Sequence, residues 1–112
     1  MKIVLNATTP LLLALGCAGV LPPTQQMADT QAATRSALEL GAQSNPQAEL
    51  HLRLAEEQIA EAKLAIEDDD NERATTLLAR ARVDAELAVA LSHEQLASRQ
   101  VAQAKHGATQ LK

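Results

Sequence analysis

NPQAELHLRLAEEQIAEAKLAIEDDDNERATTLLARARVDAELAVALS, residues 45–92, holds two amphipathic patterns joined by an acidic break. In the first, Leu52, Ala55, Ile59, Ala62 and Ile66 recur at spacings of 3 and 4, the period of one helix face. Leu64 and Ala65 widen that stripe, and Glu56, Glu57, Glu61 and Lys63 take the opposite side. Pro46 suits a first helical position, where the amide hydrogen it lacks would be unpaired anyway. Asn45 suits the cap before it. The spacing predicts a helix over 46–67, ~33 Å long at 1.5 Å per residue.

In the second pattern Ala74, Leu77, Leu78, Ala81, Ala85, Ala88 and Leu91 make one stripe, which Val83, Leu87 and Ala90 are expected to widen. Neither Gly nor Pro occurs between Glu72 and Gly107, so a helix is expected over 71–105, ~50 Å long. Past Ser92 the stripe thins to Leu96, Val101 and Ala104 while Gln and Ser increase. A partner of 22 residues leaves the last third of this helix overhanging. The overhang packs on a preceding helix, frays, or meets a second subunit, which makes Leu96, Val101 and Ala104 the candidate partner contacts. His106-Gly107 is the expected end, with 107–112 a loose tail.

The break, Asp68-Asp69-Asp70-Asn71, reads as a turn with a helix cap. Either Asp69 caps and Glu72 reaches back to close a capping box, or Asp70 caps. Both place carboxylates near the positive end of the next helix dipole. A calcium loop of the EF-hand kind needs 12 residues, a central Gly and a closing Glu, and this run lacks that spacing and that Gly.

Upstream, Met27, Thr30, Thr34, Ala37 and Gly41 recur at helical spacing, on a face richer in Thr than in large aliphatics. A helix over 24–41 follows, with Thr24 as its cap and Gly41 as its close. The expected fold is therefore all-α: an antiparallel helical hairpin with a preceding helix, in an elongated three-helix bundle or coiled-coil-like form. The helical domain spans 24–106.

Composition limits what such a domain can do. The chain has 112 residues and no Phe, Tyr or Trp, so its core must come from Leu, Ile, Val and Ala. Without aromatics there is no platform for stacking bases and no cage for methyl-ammonium groups. Fourteen acidic against ten basic residues disfavour duplex nucleic acid, whose phosphates need Lys and Arg. His51, His93 and His106 are too scattered for a metal triad. No Ser lies in a nucleophile motif such as Gly-x-Ser-x-Gly, and no Gly-rich phosphate loop is present. No catalytic residue, metal site, cofactor or small-molecule substrate is expected.

The single cysteine, Cys17, excludes an internal disulfide. It follows the strongest apolar run in the chain, Leu11-Leu12-Leu13-Ala14-Leu15, and Lys2 gives that region a positive start. Charge, apolar segment and small residue in this order form a secretory signal, too short for a spanning helix. Ala14-Leu15-Gly16-Cys17 resembles the lipobox of bacterial lipoproteins. The resemblance implies a signal peptide over 1–16, cleavage between Gly16 and Cys17, and lipid on the Cys17 thiol. Ala18 in the next position implies, by the same resemblance, export to the outer membrane of the cell envelope, facing the periplasm. Each buried CH₂ contributes ~0.8 kcal/mol, so several acyl chains anchor a protein firmly. Pro22-Pro23 stiffens a short tether over 17–23.

Leu54-Ala55-Glu56-Glu57-Gln58-Ile59-Ala60-Glu61-Ala62, the acidic turn, Glu72-Arg73-Ala74, and Ala81-Arg82-Val83-Asp84-Ala85-Glu86-Leu87-Ala88 resemble the family called domain of unknown function 4398. The resemblance implies a bacterial envelope protein, often a lipoprotein. Some members carry an OmpA-like peptidoglycan-binding domain after the helices. This sequence departs from those in having no second domain, so cell-wall binding is not expected from the likeness. The expected function is a lipid-anchored periplasmic helical module with a structural or protein-interaction role, contacting other envelope proteins or itself. The alternative is a soluble periplasmic binding or chaperone-like protein that holds apolar peptides.

Overall fold

The computed structural model describes residues 19–111. Three α-helices carry the fold: α1 (Thr24–Glu39), α2 (Pro46–Glu67) and α3 (Asn71–Gln110). No strand occurs among the described residues. The hairpin read from the acidic break is α2 and α3, antiparallel. α1 lies alongside and runs in the same direction as α3: Gln26 Nε2 donates to the Thr75 carbonyl (3.2 Å) near the start of both helices. α3 is the element on which both others pack, and α1 and α2 touch each other less.

Local chemistry sets each boundary. Asn45 caps α2 by accepting from the amides of Gln47 (3.0 Å) and Ala48 (3.2 Å), with Pro46 at the first helical position. Thr24 is not the cap of α1 but its first helical residue. The cap is Pro23, whose carbonyl accepts from the Met27 amide at 2.9 Å. α1 ends at Glu39, and Gly41 follows in the left-handed region at φ 83°, its amide donating to the Leu38 carbonyl. A 3₁₀ turn at Ala42–Ser44 then reverses the chain.

The acidic turn resolves the two capping alternatives. Asp69 is left-handed at φ 59°, with its amide on the Ile66 carbonyl (3.0 Å) and the Asp70 amide on the Ala65 carbonyl (2.8 Å). That pair of bonds is a Schellman close to α2, with Asp where Gly is commonest. Asp70 is the cap of α3 and accepts from the Arg73 amide at 3.2 Å. Arg73 rather than Glu72 therefore occupies the third helical position, and the capping box through Glu72 does not form.

The core is small because its side chains are small. Apart from Leu52, Ile59, Leu77 and Leu78, every buried hydrophobic residue is an alanine. Around Leu77 and Leu78 gather Ala55, Ile59, Ala62, Ala65, Ala74, Ala81 and Ala85, with Met27 and Ile66 at the margin. A second cluster joins Ala37, Ala42, Ala48, Leu52 and Ala88 under the 3₁₀ turn. Alanine seams favour close helix approach, at the cost of buried area per residue. Thr30 and Thr34 complete the inner face of α1. Their hydroxyls donate to the Gln26 and Gln31 carbonyls at 2.8 Å, so neither is left unpaired by burial.

Three readings of the stripes change. Val83, Leu87 and Ala90 do not widen the core face of α3; they are exposed on its far side. Leu64 is likewise exposed, whereas its neighbour Ala65 is buried. The end expected at His106-Gly107 is absent, and α3 runs on as helix through both residues to Gln110. A single Gly costs a helix roughly 1 kcal/mol, which the helix formers around it tolerate.

Candidate interaction surface

The two ends of the bundle differ. At the turn end, Asn71 is buried and its Nδ2 donates to the Val20 carbonyl (2.8 Å) and to Asp69 Oδ1 (3.4 Å). The first described residues, 19–23, thus run non-helically along the start of α3 and are held there. Gly16 and Cys17, the expected cleavage and lipidation positions, lie outside the described residues. At the other end, Asn45 Nδ2 donates to the Leu91 carbonyl (3.4 Å) and Gln95 Nε2 to the Ser44 carbonyl (3.3 Å). Those bonds mark where the bundle stops. From residue 96 to Gln110, α3 continues for ~22 Å without a neighbouring helix among the described residues.

Leu96, Val101 and Ala104 all lie on this projection, but they do not share one face. Leu96 is half-buried at the rim of the bundle, while Val101 and Ala104 are exposed. Five residues separate Leu96 from Val101, which turns them ~140° apart around the helix. Val101 and Ala104 belong instead to the stripe that carries Val83 and Leu87 on the outer side of α3. Val83 is 64% exposed, Leu87 40%, Val101 54% and Leu111 90%. The signal for this stripe was present in the spacing, but it ran beside a stronger alanine and leucine stripe and merged with it.

One polar cluster bridges the hairpin. His51 Nδ1 lies 2.9 Å from Asp84 Oδ1, and Gln58 Nε2 donates to Asp84 Oδ2 at 2.9 Å. A carboxylate accepts only, so Nδ1 carries the hydrogen in this contact. His51 and Gln58 are seven residues apart, two turns on one face of α2, and Asp84 reaches both from α3. Spacing along the sequence does not pair His51 with Asp84, which are 33 residues apart. No Ser, Thr or Cys hydrogen-bonds to His51 among the described residues. The geometry pins the register of α2 against α3. Nearby, Arg82 Nε donates to Glu86 Oε1 at 2.8 Å. That hydrogen bond and the Glu86 charge raise the Arg82 pKa, so the guanidinium stays charged.

Among the described residues no group of three or more His, Cys, Asp or Glu is placed to hold a metal ion. No helix among them is long and apolar enough to cross a membrane. Between α1 and α2 lies an open depression with Ile59, Ala60 and Leu64 on one side and Gln31 and Thr34 on the other.

A family model described as Domain of unknown function (DUF4398) matches residues 25–104. That span takes in α1, α2 and most of α3, and stops within the projecting segment. No curated protein and no solved structure matches the chain.

Proposed function

The chain belongs to the DUF4398 family, and on that premise we propose that it is a lipid-anchored helical module of the bacterial envelope, acting through protein contacts and without catalysis. The observation that carries the reading is the projection of α3 beyond the bundle. Burial of apolar surface is the main favourable term in folding. A helix that leaves Val101, Ala104 and Leu111 in water is therefore furnished for a partner. The place of the tether supports the same reading. Val20, three residues after Cys17, is held at the turn end of the bundle, and α3 leads away from that end for ~60 Å. An acylated Cys17 would hold that end at the outer membrane and direct the projection into the periplasm.

Two experiments test the proposal separately. Cys17→Ser is expected to abolish palmitate labelling and to release the protein from the membrane fraction; unchanged fractionation would refute the anchor. A photo-crosslinking residue at position 101 is expected to capture protein in intact envelopes, and one at position 57, on the charged face of α2, is not. Equal capture at both positions would refute the projection as the contact surface.

The depression between α1 and α2 favours a second reading, a soluble periplasmic binding or chaperone-like protein that holds apolar peptides. It predicts that Leu64→Glu weakens suppression of aggregation of an unfolded client. An unaffected assay would discard that reading.

A further inference from the structure

On the outer side of α3, Val83, Leu87, Ala90, Glu94, Ala97, Val101, Ala104, Ala108 and Leu111 follow one another at alternating spacings of 4 and 3. This is an unbroken heptad seam of four repeats, ~42 Å long. Every member is exposed, so no described residue covers it. A seam of this register is what a second helix with the same register packs into, and an identical chain supplies one.

Charge decides the orientation. Glu94 is the acidic member of the seam, whereas Asp84 is engaged with His51 and Gln58 and Glu86 is paired with Arg82. Lys105 flanks the seam next to Ala104, whereas Arg99 lies on the opposite side of the helix, about 200° from Ala97. A parallel pair in register would set Glu94 against Glu94 inside the seam. An antiparallel pair centred on residue 99 separates the two Glu94 side chains. It aligns Ala90 with Ala108, Leu87 with Leu111 and Ala97 with Val101 of the second copy. Glu94 then faces Ala104 and lies beside Lys105.

We infer that the outer face of α3 is a self-association surface, on which two copies of this chain pair as an antiparallel coiled coil centred on residue 99. The inference rests on the reading of the projection as an interaction element and names its occupant. The four alanines of the seam permit close approach but bury little each, so association is expected at roughly micromolar concentration, below the strength of larger obligate interfaces. Pairing would also shelter residues 96–110, too short a segment to be a stable helix by itself.

The test uses the full chain in detergent with Cys17→Ser, so it does not depend on the anchor. Sedimentation equilibrium is expected to show a monomer–dimer equilibrium, and Val101→Glu to weaken it at least tenfold, with an unfolding midpoint unchanged at concentrations where both chains are monomeric. Chains carrying Ala90→Cys mixed with chains carrying Ala108→Cys are expected to crosslink to each other and not to themselves. A monomer at roughly 100 µM, well above the concentration expected of such an interface, would overturn the inference. So would self-crosslinking of the Ala90→Cys chain, or projection contacts made only to a different envelope protein.

Discussion

The two parts of α3 share a helical period and a similar fraction of alanine, but only the first is rich in leucine, and their surroundings differ. Residues 71–95 bury a face of Ala74, Leu77, Leu78, Ala81, Ala85, Ala88 and Ser92 between α1 and α2. Residues 97–110 carry as much alanine, and all are exposed. The packed part is stable because its neighbours cover it. The projecting part is helical because it continues an existing helix and so avoids the nucleation cost that makes short helices marginal in water. An amphipathic period therefore says that a helix can be covered on one side. Whether it is covered depends on how far its neighbours reach.

The sharpest way to break this comparison is a pair of truncations. Leu78→Ala is expected to destabilise the protein by about 2–5 kcal/mol, because Leu78 is fully buried at the centre of the larger cluster. Val101→Ala is expected to cost less than about 0.5 kcal/mol in the monomer. Urea unfolding followed by circular dichroism measures both, and similar losses would mean that the projection is packed after all. Next in size, Asp84→Ala should cost about 1–2 kcal/mol, since it leaves His51 and Gln58 without their shared acceptor. Combining it with His51→Ala should cost less than the sum of the two, and strict additivity would remove the cluster from the account of register.

A smaller effect of opposite sign is expected at the turn. Asp69→Gly relieves a left-handed backbone at φ 59° and should stabilise the hairpin by roughly 0.5 kcal/mol, the relief being partly offset by the freer unfolded chain. A lower melting temperature would show that the 3.4 Å contact from Asn71 to the Asp69 side chain matters more than the strain. The smallest change in overall stability belongs to Gly107→Ala. An added Cβ there meets nothing within 4 Å. Global unfolding should stay put, while amide exchange around residue 107 slows about fivefold, matching ~1 kcal/mol of helix propensity.

Much of the bundle was legible because alanine and leucine at helical spacing leave few other solutions. The α2 stripe, the Asn45-Pro46 start, the Gly41 close and the Thr30, Thr34 and Ala37 face of α1 all follow from local chemistry. The outer seam was not legible as a separate face. Val83, Leu87 and Ala90 stand two residues beyond Ala81, Ala85 and Ala88, and spacing alone assigns such neighbours to a wide stripe as readily as to two narrow ones. The Asp84 cluster was hidden for another reason: pairing His51 and Gln58 with Asp84 needs the register of two antiparallel helices, and an alanine-rich seam specifies register weakly.

By itself, the sequence determined that the chain forms helices, where α2 begins, where the turn falls and which small residues can be buried. Those are properties of neighbours within a turn or two, set by backbone hydrogen bonding and the 3.6-residue period. Only the tertiary structure decided that α1 runs beside α3, that Asp70 rather than Asp69 caps α3, and that two apolar faces of one helix meet different fates. The reason is geometric. α1 and α2 cover one side of α3 and end near Gln95, so the remaining surface of a 40-residue helix has no partner among the described residues.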